Sequence, residues 1–249
     1  MDDLDYRAIS PVIMKEMSSR QRFVRFEERL DTSDMSSDMM LKIAHGKYLN
    51  AWKGVPFLKD CLSLAIVQKL FWEEKPQTVI ELGAWKGGSA LWSADMLKIL
   101  GVKSHVFSMD IDLSLLDPVA KECPDVTFIE GNSNEIEKCF PPELLQTLPH
   151  PWFITEDVHI NIVEVLKYFD KFTEPGDYIC VEDTNPLAPN QPGQGLIKEL
   201  GYTPFGHSKL DKLKEFMKTH SERYLVDQLY TDLFGYNVTW NSNGFLKRV

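Results

Sequence analysis

The chain has 249 residues, enough for one large domain with a substantial core. Its 43% hydrophobic and 26% charged residues are typical of an ordinary folded protein. The net charge of −10 argues against a general nucleic-acid-binding protein, because phosphate contacts need clustered Lys and Arg. The four cysteines form no C-x-x-C pair, the N-terminus lacks a signal-peptide pattern, and no apolar run approaches the roughly 20 residues of a membrane span. We therefore expect a cytoplasmic protein without a membrane partner.

Residues 1–50 are charged and rich in Met, with helical patches such as Ser10 to Met17 and no strand pattern. They predict a helical N-terminal extension ahead of a domain at 51–249. Helical extensions of this kind often pair subunits, so the N-terminal helices are a candidate homo-oligomer contact. An amphipathic helix from Asp60 to Glu73 then leads into the first predicted strand.

The first strand, Thr78 to Leu82, ends in a glycine turn that opens a helix from Gly88 to Leu100. The turn lacks the lysine of a phosphate-binding loop and the second glycine of the dinucleotide fingerprint. Glu81 would repel a phosphate but suits a cationic ligand with an ammonium group, such as S-adenosylmethionine. A tight turn without any ligand is the alternative.

Two more strands follow, and each ends in polar residues. The strand His105 to Asp110 places Asp110 where it could accept hydrogen bonds from ribose hydroxyls, with Asp112 as a second candidate. The strand Val126 to Glu130 leads into a turn at Asn132, whose polar side chains could meet an adenine edge.

The fourth and fifth strands, Pro151 to His159 and Asp177 to Asp183, flank a helix from Asn161 to Phe172. This alternation predicts an α/β fold, with a mostly parallel sheet and helices on both faces. A loop is expected at 185–195 and a helix from Ser208 to Tyr224. Residues 237–240 and 245–249 are expected to form a closing antiparallel hairpin.

Carboxylates are concentrated at the ends of the fourth and fifth strands. They are Glu156, Asp157, Glu182 and Asp183. So much negative charge is costly without a cation, and oxygen ligands favour Mg²⁺. His159 is the candidate base for an acceptor hydroxyl. Helix capping and solvated strand ends are the alternative explanation of these polar residues.

An ordered set of motifs resembles the cephalosporin hydroxylase family, of the CmcI type. The matching segments are 52–56, 79–83 with 87–89, 109–114, 156–159, 176–184 and 244–249. Members of this family look like class I S-adenosylmethionine-dependent methyltransferases with a Mg²⁺ site. The resemblance therefore implies a Rossmann-like fold with both cofactors.

The resemblance also implies roles for individual residues. It gives His159 as the base. It gives metal ligands at Glu156, Glu182 and Asp183. It gives cofactor contacts at Glu81, Gly83, Ser89, Asp110 and Asn132. The family usually has Asp at position 156 and often Asp at position 132, so Asp157 is an alternative metal ligand.

The expected function is a Mg²⁺-dependent O-methyltransferase that acts on a hydroxyl of a small molecule, such as a polyketide or a sugar-bearing natural product. An oxygenase is one alternative, although His159 lacks an obvious second histidine for an iron site. A non-catalytic binding protein that keeps the same fold is the other.

Overall fold

The computed structural model describes residues 6–186 and 206–249. The longer α-helices are α1 (Tyr6–Ser18), α2 (Ser37–Lys47), α3 (Cys61–Glu74), α4 (Gly88–Ile99), α8 (Ile162–Asp170) and α9 (Gly206–His220). One-turn α-helices are α5 (Pro118–Lys121), α6 (Ile136–Cys139), α7 (Pro142–Leu145) and α10 (Gln228–Thr231). Single 3₁₀ turns lie at Phe26–Glu28, Leu113–Leu115 and Ser133–Glu135.

The strands form one large sheet and a small two-stranded ribbon. The ribbon pairs β2 (Ala51–Trp52) with β3 (Val55–Pro56). The sheet contains β1 (Phe23–Val24), β4 (Thr78–Leu82), β5 (His105–Asp110), β6 (Val126–Glu130), β7 (Trp152–Glu156), β8 (Tyr178–Val181), β9 (Tyr224–Asp227) and β10 (Phe245–Arg248). Its order is β1-β9-β10-β8-β7-β4-β5-β6, and the five strands from β8 to β6 are parallel. The predicted mostly parallel sheet is confirmed.

The central strands are buried on both faces, which explains their nearly continuous apolar sequences. Side chains alternate between the two faces along β7. Trp152 and Ile154 pack in the core beneath α8 and α9, whereas Phe153 packs in the core beneath α3 and α4. The same alternation continues into the polar residues that follow the strand.

The turn between β4 and α4 depends on close backbone approaches. Gly83 and Gly87 have φ angles of +109° and +80°, which a side chain rarely tolerates. A Cβ on Gly88 would lie 2.6 Å from the carbonyl oxygen of Pro56. Gly87 and Gly88 therefore let α4 start directly against the β2–β3 ribbon.

The N-terminal 50 residues contain a strand that their sequence pattern does not predict. β1 pairs antiparallel with β9 at the sheet edge, through Val24 and Val226. Arg22, just before β1, donates hydrogen bonds to Asp227 at 2.9 Å and to Glu74 at 2.7 Å. These long-range contacts fix a strand too short to show periodicity. The division at residue 50 stays a prediction.

The C-terminal strand β10 is antiparallel, as expected, but its predicted hairpin partner at 237–240 is wrong. β10 instead pairs with β9 and β8, with Leu246 opposite Val226 and Ile179. Asn237 has a left-handed backbone, and its side-chain amide donates to the carbonyls of Leu30 and Thr32. The Asn237 side chain therefore binds the backbone of a distant loop, and the residue does not form part of a strand.

Two other expectations concern the region before β9. The predicted helix reaching Tyr224 ends earlier, at His220, because Tyr224 begins β9. The loop predicted at 185–195 lies outside the described residues from residue 187 onward.

Candidate active site

The carboxyl ends of the parallel strands meet at one edge of the sheet. The register pairs Leu82 with Met109 on one side and with Glu156 on the other. Hydrogen bonds continue past the strand ends, since the Gly83 amide donates to Met109 and the Asp157 amide donates to Leu82, at 2.8 and 3.0 Å. The predicted site residues after β4, β5, β6, β7 and β8 therefore share one edge.

Glu81 lies buried under the glycine turn, within the β4 strand. Its Oε2 accepts a 2.5 Å hydrogen bond from the hydroxyl of Ser108 on β5. Burial raises the pKa of this carboxyl group, whereas Lys59 and the hydroxyls of Ser108 and Ser89 act in the opposite direction. Ser89, at the start of α4, is also buried. Glu81 thus places negative charge directly below the turn, in low-dielectric surroundings.

Asp110 ends β5 beside that turn. Its Oδ2 accepts a 2.6 Å hydrogen bond from the backbone amide of Trp85, and its Oδ1 accepts one from the amide of Asp112 at 3.2 Å. Trp85 has a φ of +46°, so the turn is bent to bring its amide onto this carboxylate. The fixed Asp110 carboxylate is well placed to accept hydrogen bonds from two neighbouring hydroxyls.

Asp112 and Asn132 hold local turns. The Asp112 carboxylate is exposed, and hydrogen bonds from the Ser114 hydroxyl and from the Ser114 amide lower its pKa. The Asn132 side-chain oxygen accepts one from the Asn134 amide at 2.9 Å. Both side chains lie on the predicted cofactor edge, and each also has a capping role that explains its residue type.

The acids after β7 and β8 are divided between the two faces of the sheet. The register places Glu156 opposite Val181, so Asp157 and Glu182 continue on the α3 and α4 side while Glu156 faces α9. Glu156 forms an ion pair with Lys209 of α9, with an N···O distance of 3.1 Å. Burial raises the pKa of Glu156 to about 7, although Lys209 opposes this shift. The three predicted metal ligands are therefore not gathered at one point.

A different trio is gathered. Asp157, His159 and Asp183 each place one potential ligand atom within 4.8 Å of the others. Asp183 has a left-handed backbone with φ of +59°, which turns its side chain out of the β8 alternation. Two carboxylates with room for waters suit Mg²⁺, so the residues present fit the implied metal. The trio lies beside the glycine turn, since a Cβ on Gly83 would be 3.1 Å from the Asp157 carbonyl oxygen.

Lysines from outside the parallel sheet supply positive charge to these acids. Lys59 Nζ donates to Asp157 at 2.8 Å and to Glu182 at 2.5 Å. Lys47, at the end of α2, lies 3.6 Å from an Asp183 oxygen. Lys59 and Lys47 act from one side of the sheet edge, and Lys209 acts from the other.

The acids that share Lys59 respond to it unequally. Burial alone raises the pKa of Asp157, but attraction to Lys59, Lys209 and Lys47 outweighs burial and lowers it. Burial and repulsion from Asp157 raise the pKa of Glu182. Lys59 therefore favours the ionised form of Asp157, whereas burial and the neighbouring Asp157 charge favour the protonated form of Glu182.

The carboxylates of this cluster outnumber its lysines. When ionised, its four carboxylates and two ammonium groups leave a formal charge of two negative. The six groups are Glu81, Asp157, Glu182, Asp183, Lys47 and Lys59. Glu156 and Lys209 form a separate ion pair on the other face of the sheet.

Sequence reasoning missed the three lysines. It identified the uncompensated acids but assigned their compensation to metal alone. One usable signal was Lys59, which directly precedes Asp60, the N-cap of α3. A cation is unfavourable at a helix N-terminus, so such a lysine implies a nearby acidic partner.

His159 follows the trio's first carboxylate by two residues and lies at the surface, with its ring partly covered by neighbouring groups. Partial burial of the ring, together with the positive charge of Lys209, lowers its pKa below the usual value. The imidazole is therefore neutral near pH 7 and able to accept a proton.

Comparisons with known proteins identify the family of this chain. A family model described as "Rhamnosyl O-methyltransferase/CmcI" matches residues 45–249. The chain belongs to this family. It is therefore an O-methyltransferase that takes its methyl group from S-adenosylmethionine, and the oxygenase and non-catalytic alternatives are not supported.

Two relatives within the Rhamnosyl O-methyltransferase/CmcI family illustrate the similarity. The chain is 29% identical over 201 residues to the rhamnosyl O-methyltransferase of Mycobacterium leprae (strain TN), covering 79% of this chain and 82% of that protein. It is 28% identical over 210 residues to the rhamnosyl O-methyltransferase of Mycobacterium tuberculosis (strain ATCC 25618 / H37Rv), covering 80% and 76%.

Solved structures of CmcI have the same fold. The N160 form of CmcI with SAH is 26% identical, with a TM-score of 0.61 over 80% of this chain and 82% of that one. The D160 form with Mg and SAM is 23% identical, with a TM-score of 0.65 over 100% of this chain and 97% of that one.

In the part of this chain that the structure describes, every helix is too short or too polar to cross a bilayer.

Proposed function

We propose that this member of the family methylates a hydroxyl group of a sugar-bearing small molecule with the help of Mg²⁺. The observation that carries the proposal is the position of the Asp157, His159 and Asp183 trio beside the Gly83 turn. The methyl donor and the acceptor oxygen would then meet at one sheet edge. The sugar class is inferred from relatives that are named rhamnosyl O-methyltransferases.

In this proposal the donor lies along the first two strand ends. Glu81 and Ser89 support the turn from below, Gly83 permits close approach of the ligand, and Asp110 accepts hydrogen bonds from ribose hydroxyls. Asn132 and Asp112 border the adenine and ribose positions. S-adenosylmethionine supplies a methyl group on a positively charged sulfur, which the negative potential of this edge favours.

We assign the metal to Asp157 and Asp183, with Asp157 in the place that the sequence analysis gave to Glu156. Glu182 lies alongside, held by Lys59, and Glu156 is occupied by Lys209 on the other face. When bound, Mg²⁺ supplies Lewis acidity that lowers the pKa of an acceptor hydroxyl. Because Mg²⁺ prefers oxygen ligands, the His159 imidazole is left to accept the hydroxyl proton.

The chain's own residues then carry out the transfer by positioning and proton acceptance. Asp157 and Asp183 fix the acceptor side, and the Gly83 turn fixes the donor side. His159 takes the proton as the acceptor oxygen attacks the methyl carbon in line with the departing sulfur. Much of the rate would come from holding these groups in the correct arrangement.

The test measures transfer of labelled methyl from S-adenosylmethionine to p-nitrophenyl α-L-rhamnoside, with catechol as a non-sugar acceptor. We expect transfer to the rhamnoside, loss of activity in EDTA, and recovery with Mg²⁺. Full activity in chelator would reject the metal assignment. Transfer to catechol alone would reject the sugar class.

We also propose a cytoplasmic location and a homo-oligomer contact through the N-terminal helices. The four cysteines are free thiols, which fits a reducing compartment. Helix α1 exposes Val12, Ile13 and Met14, each by more than half of its surface. An apolar exposed helix of this kind supports pairing between copies, and analytical ultracentrifugation of a chain lacking residues 1–18 would test it.

A further inference from the structure

The loop that carries His159 is short and fixed at both ends. It runs from Asp157, directly after β7, to Asn161, directly before α8. At its start, the Asp157 amide donates to the Leu82 carbonyl at 3.0 Å. His159 therefore lies two residues from an anchor on either side, and its position depends on both anchors.

The second anchor is a reciprocal pair of hydrogen bonds with Ser133. The Ser133 hydroxyl donates to the Ile160 carbonyl at 3.2 Å, and the Asn161 side-chain amide donates to the Ser133 carbonyl at 3.1 Å. Ser133 is buried, so its hydrogen bonds are shielded from competition with water. The two bonds join the loop after β7 to the loop after β6.

Asn161 is suited to this task by its backbone as well as its side chain. It has φ of +61°, a conformation that Asn tolerates better than most residues. It occupies the N-cap position of α8, yet its side chain makes no capping hydrogen bond there. The side chain reaches across to Ser133 instead, which a purely local helix cap would not require.

We propose that Ser133 and Asn161 are positioning residues that hold His159 over the acceptor hydroxyl. The proposal rests on the proposed function, in which His159 accepts the hydroxyl proton. It also links the base to the loop that contains Asn132, on the donor side of the site. Neither residue touches the reacting atoms, so both act through the position of the His159 loop.

The test compares Asn161→Gly with Asn237→Gly. Glycine accepts the left-handed backbone at both positions, so each change removes the side chain without backbone strain and adds the same backbone freedom. Asn237 has φ of +52° and a buried side chain that donates to loop carbonyls and accepts from Arg29 and Asn243, so it controls for the loss of a more heavily bonded left-handed Asn away from His159. Ser133→Ala removes one bond of the reciprocal pair and should have the smaller effect of the two.

For Asn161→Gly we expect kcat to fall about tenfold, because a displaced general base loses part of its 10²- to 10⁴-fold contribution. The KM for S-adenosylmethionine should stay within about twofold, since the donor contacts are unchanged. In a His159→Ala background, Asn161→Gly should cause no further loss. Asn237→Gly should leave kcat unchanged even if it lowers stability.

Hydrogen exchange gives a second readout that does not depend on turnover. Backbone amides of residues 158–160 should exchange about tenfold faster in Asn161→Gly, and at the wild-type rate in Asn237→Gly. Unchanged exchange, unchanged kcat, or an equal further loss in the His159→Ala background would each overturn the proposal. A fully active His159→Ala variant would instead overturn the assignment of the base, and the positioning role with it.

Discussion

Removing the Lys59 ammonium group tests the electrostatic account of the site. Lys59→Met would leave Asp157 and Glu182 facing each other without the cation that now lies 2.8 and 2.5 Å away. All three side chains are mostly buried, with 15%, 25% and 10% of their surfaces exposed. Breaking a buried pair of this kind costs about 3 kcal/mol of unfolding free energy.

The stability lost in Lys59→Met should be smaller at low pH than at neutral pH. Without Lys59, the pKa values of both carboxyl groups should rise in the folded state above their unfolded values. The folded variant then binds protons more readily than the unfolded chain, so its deficit against wild type shrinks as the pH falls. We expect the full deficit at pH 7.5 and a clearly smaller one at pH 5.

Urea unfolding of metal-free protein at both pH values measures these quantities. Lys138→Met is the control for losing a lysine charge at the surface, since Lys138 is exposed and pairs with Glu135 three residues earlier. It should show no measurable change. A Lys59→Met variant within about 1 kcal/mol of wild type at pH 7.5, or a deficit independent of pH, would refute the reasoning.

Three further predictions follow from other parts of the site. Asp157→Asn should weaken Mg²⁺ binding, measured by calorimetry, at least tenfold more than Glu156→Gln; equal effects would contradict the assignment of the metal to Asp157. Because the folded pKa of Glu156 is raised to about 7, its contribution to stability should fall as the pH rises from about 4.5 to 7, so Glu156→Gln should gain stability relative to wild type over this range in pH-dependent urea titrations. Gly88→Ala should lower stability by about 2 kcal/mol, because its Cβ would lie 2.6 Å from the Pro56 carbonyl; a neutral effect in urea unfolding would show that the ribbon yields.

The parallel core of the fold follows from local sequence features. Strands β4 to β8 are short apolar runs that alternate with helices, and each is found close to its predicted place. The edge strands are different. β1 has only two residues, and its position depends on contacts between Arg22 and residues more than 50 positions away. No local pattern contains that information.

The C-terminal strand shows a related limit. Asn237 to Trp240 resembles a strand by alternation, yet Asn237 uses its side chain to bind distant backbone carbonyls. β10 pairs with Tyr224–Asp227 instead, after a connection of seventeen residues, 228 to 244. Alternation alone cannot identify the partner of an antiparallel strand across such a distance.

The convergence of the candidate site residues on one sheet edge was predictable, whereas their arrangement within that edge was not. Parallel strand ends must lie on one edge, so acids at or just beyond the ends of β4, β5, β7 and β8 converge. Which face each acid takes depends on the exact residue where each strand ends. Glu156 and Asp157 are adjacent in sequence and lie on opposite faces, so Glu156 pairs with Lys209 and Asp157 pairs with Lys59.

The lysines come from segments remote in sequence. Lys59 precedes α3, Lys47 ends α2, and Lys209 lies on α9. Sequence reasoning recognised that the acids needed compensation, but the number of protein cations decides how much charge remains for a metal. That number depends on tertiary packing, which spacing and composition do not specify.

The central claim is that a methyl donor and a divalent cation face each other across one sheet edge. Diffraction from crystals grown with S-adenosylhomocysteine and Mn²⁺ tests it most directly, because the anomalous signal locates the metal. The account predicts a metal peak within coordination distance of Asp157 and Asp183, with the ligand's sulfur over the Gly83 turn and its ribose on Asp110. A metal peak elsewhere, or a ligand bound away from this edge, would contradict it.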